Sequence, residues 1–153
     1  MKESSGIHAL PIEVLLIEDS PGDVRLTREA LKDAKVHISL SEVSDGVEAM
    51  AFLERQGKFA DAPRPDLILL DLNLPKKDGR EVLKDIKESV TLGSIPVVIL
   101  TTSASEADIL RSYKLHANCY ITKPVDLDGF LKVVQSIDNF WLSVVKLPRE
   151  RRS

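Results

Sequence analysis

The sequence predicts an α/β domain built on a parallel sheet covered on both faces. Five short apolar runs alternate with five stretches of helical periodicity along the chain, and three of the runs are apolar without interruption. A strand buried on both faces has no solvent side, so it loses the in–out alternation of a half-exposed strand. Strand followed by helix, repeated, requires crossover connections, and these are right-handed in almost every parallel sheet.

The first strand is read at Val14-Leu15-Leu16-Ile17, followed by a helical pattern from Asp23 to Ala34. The second, Ile38 to Val43, alternates and carries Glu42, so it reads as a more exposed, edge-like strand. A helix over Val47 to Gln56 follows, then the third strand, Leu67 to Leu70, and a helix over Arg80 to Glu88. Val97 to Leu100 is the fourth strand and Glu106 to Leu115 its helix; Cys119-Tyr120-Ile121 and Leu127 to Val145 complete the pattern. Residues 1–11 read as a loose tail, 12–147 as the domain and 148–153 as a polar tail. The connection from Gln56 to Pro65 is longer than most helix–strand loops and is a candidate partner contact.

Composition narrows the function classes. Hydrophobic residues make up 43% and charged residues 29% of 153, an ordinary soluble balance. The net charge of -3 argues against nucleic-acid binding through a broad basic face. The single cysteine, Cys119, cannot form an internal disulfide and reads as a buried small hydrophobe at the start of its strand. No apolar run reaches the ~18–20 residues of a membrane span, and the first residues lack the pattern of a signal peptide. A cytoplasmic protein is expected. His8, His37 and His116 have no ligand-like spacing.

In an open parallel sheet, ligands bind outside the carboxyl ends of the strands. The first strand ends in Glu18-Asp19, the third in Asp71, the fourth in Thr101-Thr102 and the fifth in Thr122-Lys123-Pro124. Each residue alone has an ordinary role in a turn or helix start; their convergence on one crevice is what distinguishes them. Clustered carboxylates resist ionisation without a counter-charge. Mg²⁺, which takes oxygen ligands and keeps several waters, meets that need with few protein ligands. Lys123 can bind a phosphate oxygen as a point charge, and the Thr101 hydroxyl can donate to another. A carboxylate can itself be the nucleophile, and Asp71, flanked by the other sites, is the central candidate.

Ile17-Glu18-Asp19-Ser20-Pro21, Leu70 to Gly79, Pro96 to Ala104 and Tyr120-Ile121-Thr122-Lys123-Pro124 together resemble the signatures of response-regulator receiver domains. The thirty positions from Asp71 to Thr101 and the twenty-two from Thr101 to Lys123 match that family, and the likeness runs from about Val14 to Phe140. The resemblance implies a flavodoxin-like sheet in order 2-1-3-4-5 with five helices. It implies Asp71 as phosphoacceptor, and Mg²⁺ held by Glu18, Asp19, Asp71 and the backbone carbonyl of Asn73. Lys123 would contact the phosphoryl group, Thr101 would move toward it, and Tyr120 would follow as the aromatic switch. Lys123-Pro124 would be cis. The donor would be a phosphohistidine on a sensor kinase or a small acyl phosphate, with Asn73 and Ser103 tuning the lifetime of the product. Ser112 to Tyr120, Phe140-Trp141-Leu142 and Leu147-Pro148 are similar to the single-domain regulators that serve phytochrome kinases. A phytochrome-type kinase is thus the expected partner upstream.

The last helix carries two apolar stripes, wider together than a helix covering one sheet needs. Leu127, Phe130, Leu131, Val134 and Trp141 form one; Val133, Ile137, Phe140 and Val144 form the other. The second stripe points to a two-fold homodimer, with Val133, Ile137, Phe140, Trp141 and Val144 as candidate contacts. With so little chain after that helix, the expected output is contact with a downstream protein or phosphate passed to a relay histidine. An aspartyl-phosphate phosphohydrolase is the enzyme alternative, but such enzymes place a second Asp where Asn73 stands. A dinucleotide-binding domain would need a glycine-rich turn, and Glu18 to Asp23 is acidic. A receiver-like binding module that is never phosphorylated is the remaining alternative.

Overall fold

A computed structural model describes residues 11–35, 37–112 and 117–137. Five parallel strands form one sheet in the order β2-β1-β3-β4-β5. They are β1 (Ile12–Ile17), β2 (Ile38–Val43), β3 (Leu67–Asp71), β4 (Val97–Thr101) and β5 (Cys119–Thr122). The helices are α1 (Pro21–Lys32), α2 (Gly46–Leu53), α3 (Gly79–Glu88), α4 (Ala104–Ser112) and α5 (Leu127–Ser136). This is the flavodoxin-like order expected from the resemblance.

The core splits into two layers because successive strand residues face opposite sides. Leu15, Ile17, Ile68, Leu70, Val97 and Ile99 point toward α2, α3 and α4, where Phe52, Val82, Leu83, Ile86 and Leu110 meet them. Val14, Leu16, Leu67, Leu69, Val98 and Leu100 point the other way, against Leu31 of α1 and Phe130 and Val134 of α5. All of β3 and β4 is buried, as their unbroken apolar runs require. β2 pairs only with β1 and is mostly half-exposed, which matches its alternating sequence.

Helix starts follow their capping chemistry. α1 begins at Pro21, two residues before the expected start, because Ser20 caps it by accepting from Asp23 N–H at 3.3 Å and proline suits the first turn. Asp78 and Glu81 form a reciprocal capping box at α3, and Asp126 accepts from Gly129 N–H at 2.6 Å at α5.

α5 is shorter than its periodicity implies. Ile137 has an extended ψ of 122°, and the expected continuation to Val145 lies outside the described residues. The Ser136 hydroxyl donates to the Val133 carbonyl at 2.7 Å, the acceptor that Ile137 N–H would need to continue the helix. Ile137 N–H turns instead to Val134 at 3.3 Å. Cys119 is half-buried rather than buried, because β5 is an edge strand, and its sulfur lies 3.2 Å from Ser136 Oγ. The 56–65 connection is tied down by a 3-10 turn at Gly57–Phe59. Phe59 meets Phe52 edge-on, and Arg64 donates to the Thr91 carbonyl at 2.6 Å. Among the described residues, no helix is long and apolar enough to cross a membrane.

Candidate functional site

The sheet delivers its chemically capable residues to one end. β1 runs into Glu18 and Asp19, β3 ends on Asp71, and the turn after β5 presents Lys123. Lys123 Nζ stands 2.7 Å from Glu18 Oε1, 2.7 Å from Asp71 Oδ2 and 3.1 Å from Asp23 Oδ2. The Lys123 N–H donates to the Thr101 carbonyl at 2.7 Å, continuing the β4–β5 ladder past the strand end and fixing where the side chain starts. Asn73 N–H donates to Asp71 Oδ1 at 2.8 Å, and Ser20 N–H to Glu18 Oε2 at 3.1 Å. One oxygen of the Glu18 carboxylate and one of the Asp71 carboxylate are thus held by backbone, and the other oxygen of each faces the lysine.

Burial opposes these charges. Glu18 is only 2% exposed, and burial pushes its carboxyl up to about 6 against the pull of the Lys123 ammonium. Burial alone would lower Lys123, but the carboxylates of Asp71, Glu18 and Asp23 around it outweigh that and hold it above the ordinary lysine range. Glu18 Oε1 touches the ammonium without hydrogen-bonding geometry, so this buried oxygen has charge nearby but no donor aligned on it. Glu18, Asp19 and Asp71 each bring a carboxylate oxygen within 4.8 Å of the others. An all-oxygen, partly solvated donor set with an unsatisfied buried oxygen fits a hard divalent cation.

Thr101 and Tyr120 stand apart from this cluster. Thr101 is fully buried and its hydroxyl donates to the Ile121 carbonyl at 3.4 Å, away from the carboxylates. The half-buried Tyr120 ring packs beside the core with the Arg111 guanidinium 4.8 Å above it. Lys123-Pro124 is cis, as expected. Val133 and Ile137 are half-buried, packed in part against the α1–α5 layer; Phe140, Trp141 and Val144 lie outside the described residues. Lys76 and Lys77 pair with Asp45 at 3.5 Å and Asp85 at 2.8 Å, and not with Asp71. Asp23 is the member that sequence reasoning missed. Its place in the first turn of α1 looks like ordinary helix-start chemistry, and its bond to a lysine one hundred positions away exists only in the folded chain.

Residues 14–135 match the family described as the response regulator receiver domain. The chain belongs to that family. The receiver is 54% identical over 138 residues to response regulator Rcp1 of Synechocystis sp., covering 90% of this chain and 94% of that one. It superposes on the crystal structure of the phosphorylated cyanobacterial phytochrome response regulator RcpA with a TM-score of 0.70. Identity there is 53%, covering 91% of this receiver and 99% of RcpA. The Mn²⁺-bound form of Rcp1 gives a TM-score of 0.69 at 54% identity, covering 90% and 99%.

Proposed function

We propose that this receiver accepts a phosphoryl group on Asp71 with the help of Mg²⁺ and signals through the change that follows. The observation that carries this reading is the Lys123 ammonium, in contact with both Asp71 and Glu18 at the mouth of the sheet. One Asp71 oxygen would attack phosphorus in line, forming the O–P bond as the P–N bond of a phosphohistidine breaks. The electron pair leaves on the imidazole nitrogen. Glu18, Asp19, Asp71 and the Asn73 carbonyl would hold the cation, which would neutralise charge on the transferring phosphoryl oxygens. Lys123 would exchange its bond to Asp71 for one to a phosphoryl oxygen. Thr101 would release the Ile121 carbonyl to donate to another, and the space it leaves would admit the Tyr120 ring.

The likeness to Rcp1 and to a phytochrome response regulator supports a phytochrome-type histidine kinase as donor. The Mn²⁺ form of Rcp1 supports a divalent cation at the acidic cluster. Output would pass to a downstream protein or a relay histidine, in the cytoplasm. The partial exposure of Val133 and Ile137 supports a homodimer through α5.

Acetyl phosphate with Mg²⁺, followed by intact mass, tests the reading. A phosphate adduct on the native chain, lost in Asp71→Asn and lost with chelator, is expected. No adduct from either acetyl phosphate or a phosphorylated cognate kinase would reduce the protein to a phosphate-independent binding module.

A further inference from the structure

The loop that follows Asp71 is gripped from outside by the start of α2. Residues 72–78 join β3 to α3, and Asn73 N–H, donating to Asp71 Oδ1 at 2.8 Å, makes the loop's position part of the carboxylate's orientation. The far end of the loop closes on its beginning. Gly79 N–H donates to the Leu72 carbonyl at 3.0 Å, and a methyl on Gly79 would come within 2.5 Å of Leu72 Cα. Between them, Lys77 N–H donates to the Pro75 carbonyl at 2.8 Å across Lys76, whose φ is 67°. This is a γ-turn with its central residue at positive φ, a rare and strained arrangement for a residue with a Cβ.

The start of α2 lies against that turn. Gly46 N–H points to the Pro75 carbonyl at 3.5 Å. A side chain on Gly46 would overlap the Lys77 carbonyl oxygen outright and come within 2.6 Å of Lys77 Cβ. Beside it, the buried Asp45 caps α2 with one oxygen, accepting from Glu48 N–H at 2.7 Å, and faces Lys76 Nζ at 3.5 Å with the other. Helix start and loop approach so closely that only glycine fits between them.

We propose that the start of α2 clamps the β3–α3 loop in its γ-turn, making Gly46 and the Lys76 backbone positioning elements for the Asp71 site. The inference rests on reading that site as a metal-dependent phosphoacceptor. The clamp sets Asn73, and through it the Asp71 carboxylate and the carbonyl offered to the cation.

Mn²⁺ affinity, read by electron paramagnetic resonance, and acetyl phosphate labelling, read by intact mass, test this on the full chain. Lys76→Gly keeps positive φ available and is expected to match the wild type in both. Lys76→Pro forbids that φ at the same exposed position. It is expected to weaken Mn²⁺ binding by about tenfold or more, the usual cost of losing an outer support of a metal site, and to slow labelling in step. Gly46→Ala, acting from the α2 side, is expected to do the same; if it does not fold, the Lys76 pair decides. Ile86→Val, a core change, is expected to lower stability while leaving Mn²⁺ affinity unchanged. Wild-type affinity and labelling in Lys76→Pro would overturn the clamp, as would equal losses in Lys76→Gly and Lys76→Pro. A wild-type chain that neither binds Mn²⁺ nor takes phosphate defeats the site reading itself, and the clamp falls with it.

Discussion

At the scale of residues, one ammonium faces three carboxylates. Lys123 is mostly buried among Glu18, Asp71 and Asp23, so removing it leaves charges that water cannot fully screen. Lys123→Ala is expected to destabilise the metal-free protein by about 3 kcal/mol in urea titrations, and Mn²⁺ is expected to recover much of that loss. Glu18 makes the site pH-dependent. Its carboxyl titrates at about 6 when folded against an ordinary 4.5, so the folded chain holds an extra proton between those values. This group's contribution to metal-free stability is therefore full below the lower value and is lost as pH rises through the upper one, by about 2 kcal/mol. Cation binding needs the carboxylate, so the two effects run in opposite directions. Mn²⁺ is expected to raise the melting temperature far more at pH 7.5 than at pH 5; equal shifts would show that Glu18 is not a ligand. Glu18, Asp19, Asp71 and Lys123 were legible because each sits where an apolar run stops. Asp23 was not, because nothing local marks which neighbour a helix-start aspartate will reach.

At the scale of elements, boundaries follow side-chain competition for backbone groups. Asp78 satisfies the start of α3 through a reciprocal pair with Glu81, and that helix buries Val82, Leu83 and Ile86 directly behind the loop after Asp71. Asp78→Ala is expected to lower stability by about 1 kcal/mol in chemical denaturation. Its effect on Mn²⁺ affinity is expected to be small, because Gly79 still closes the loop on Leu72. Periodicity located every helix but misplaced ends. α1 starts early because Ser20 and Pro21 are good first-turn residues, and α5 stops at Ser136 because a serine hydroxyl takes a helix carbonyl. Hydrophobic spacing carries no information about either event.

At the scale of the whole molecule, two helices cover one face of the sheet and three the other, leaving the carboxyl edge as the shared mouth. If the α5 face joins two copies, sedimentation velocity is expected to show a dimer for the native chain and a monomer for Ile137→Glu, with Mn²⁺ affinity unchanged. A monomer for both would discard that surface. The sequence by itself determined the class of fold, the two-sided burial of β3 and β4, the exposed character of β2 and the four residues that meet at the strand ends. These follow from local rules: a strand with no polar residue has no wet face, and strands joined by helical crossovers run parallel, so all of them end at the same edge. Only the tertiary structure decided that Lys123 adds Asp23 to its partners, that the Thr101 hydroxyl faces the Ile121 carbonyl, and that Gly46 lies against Lys77. Each is a contact between segments far apart in the chain, and its geometry is set by packing, which spacing along a sequence does not encode.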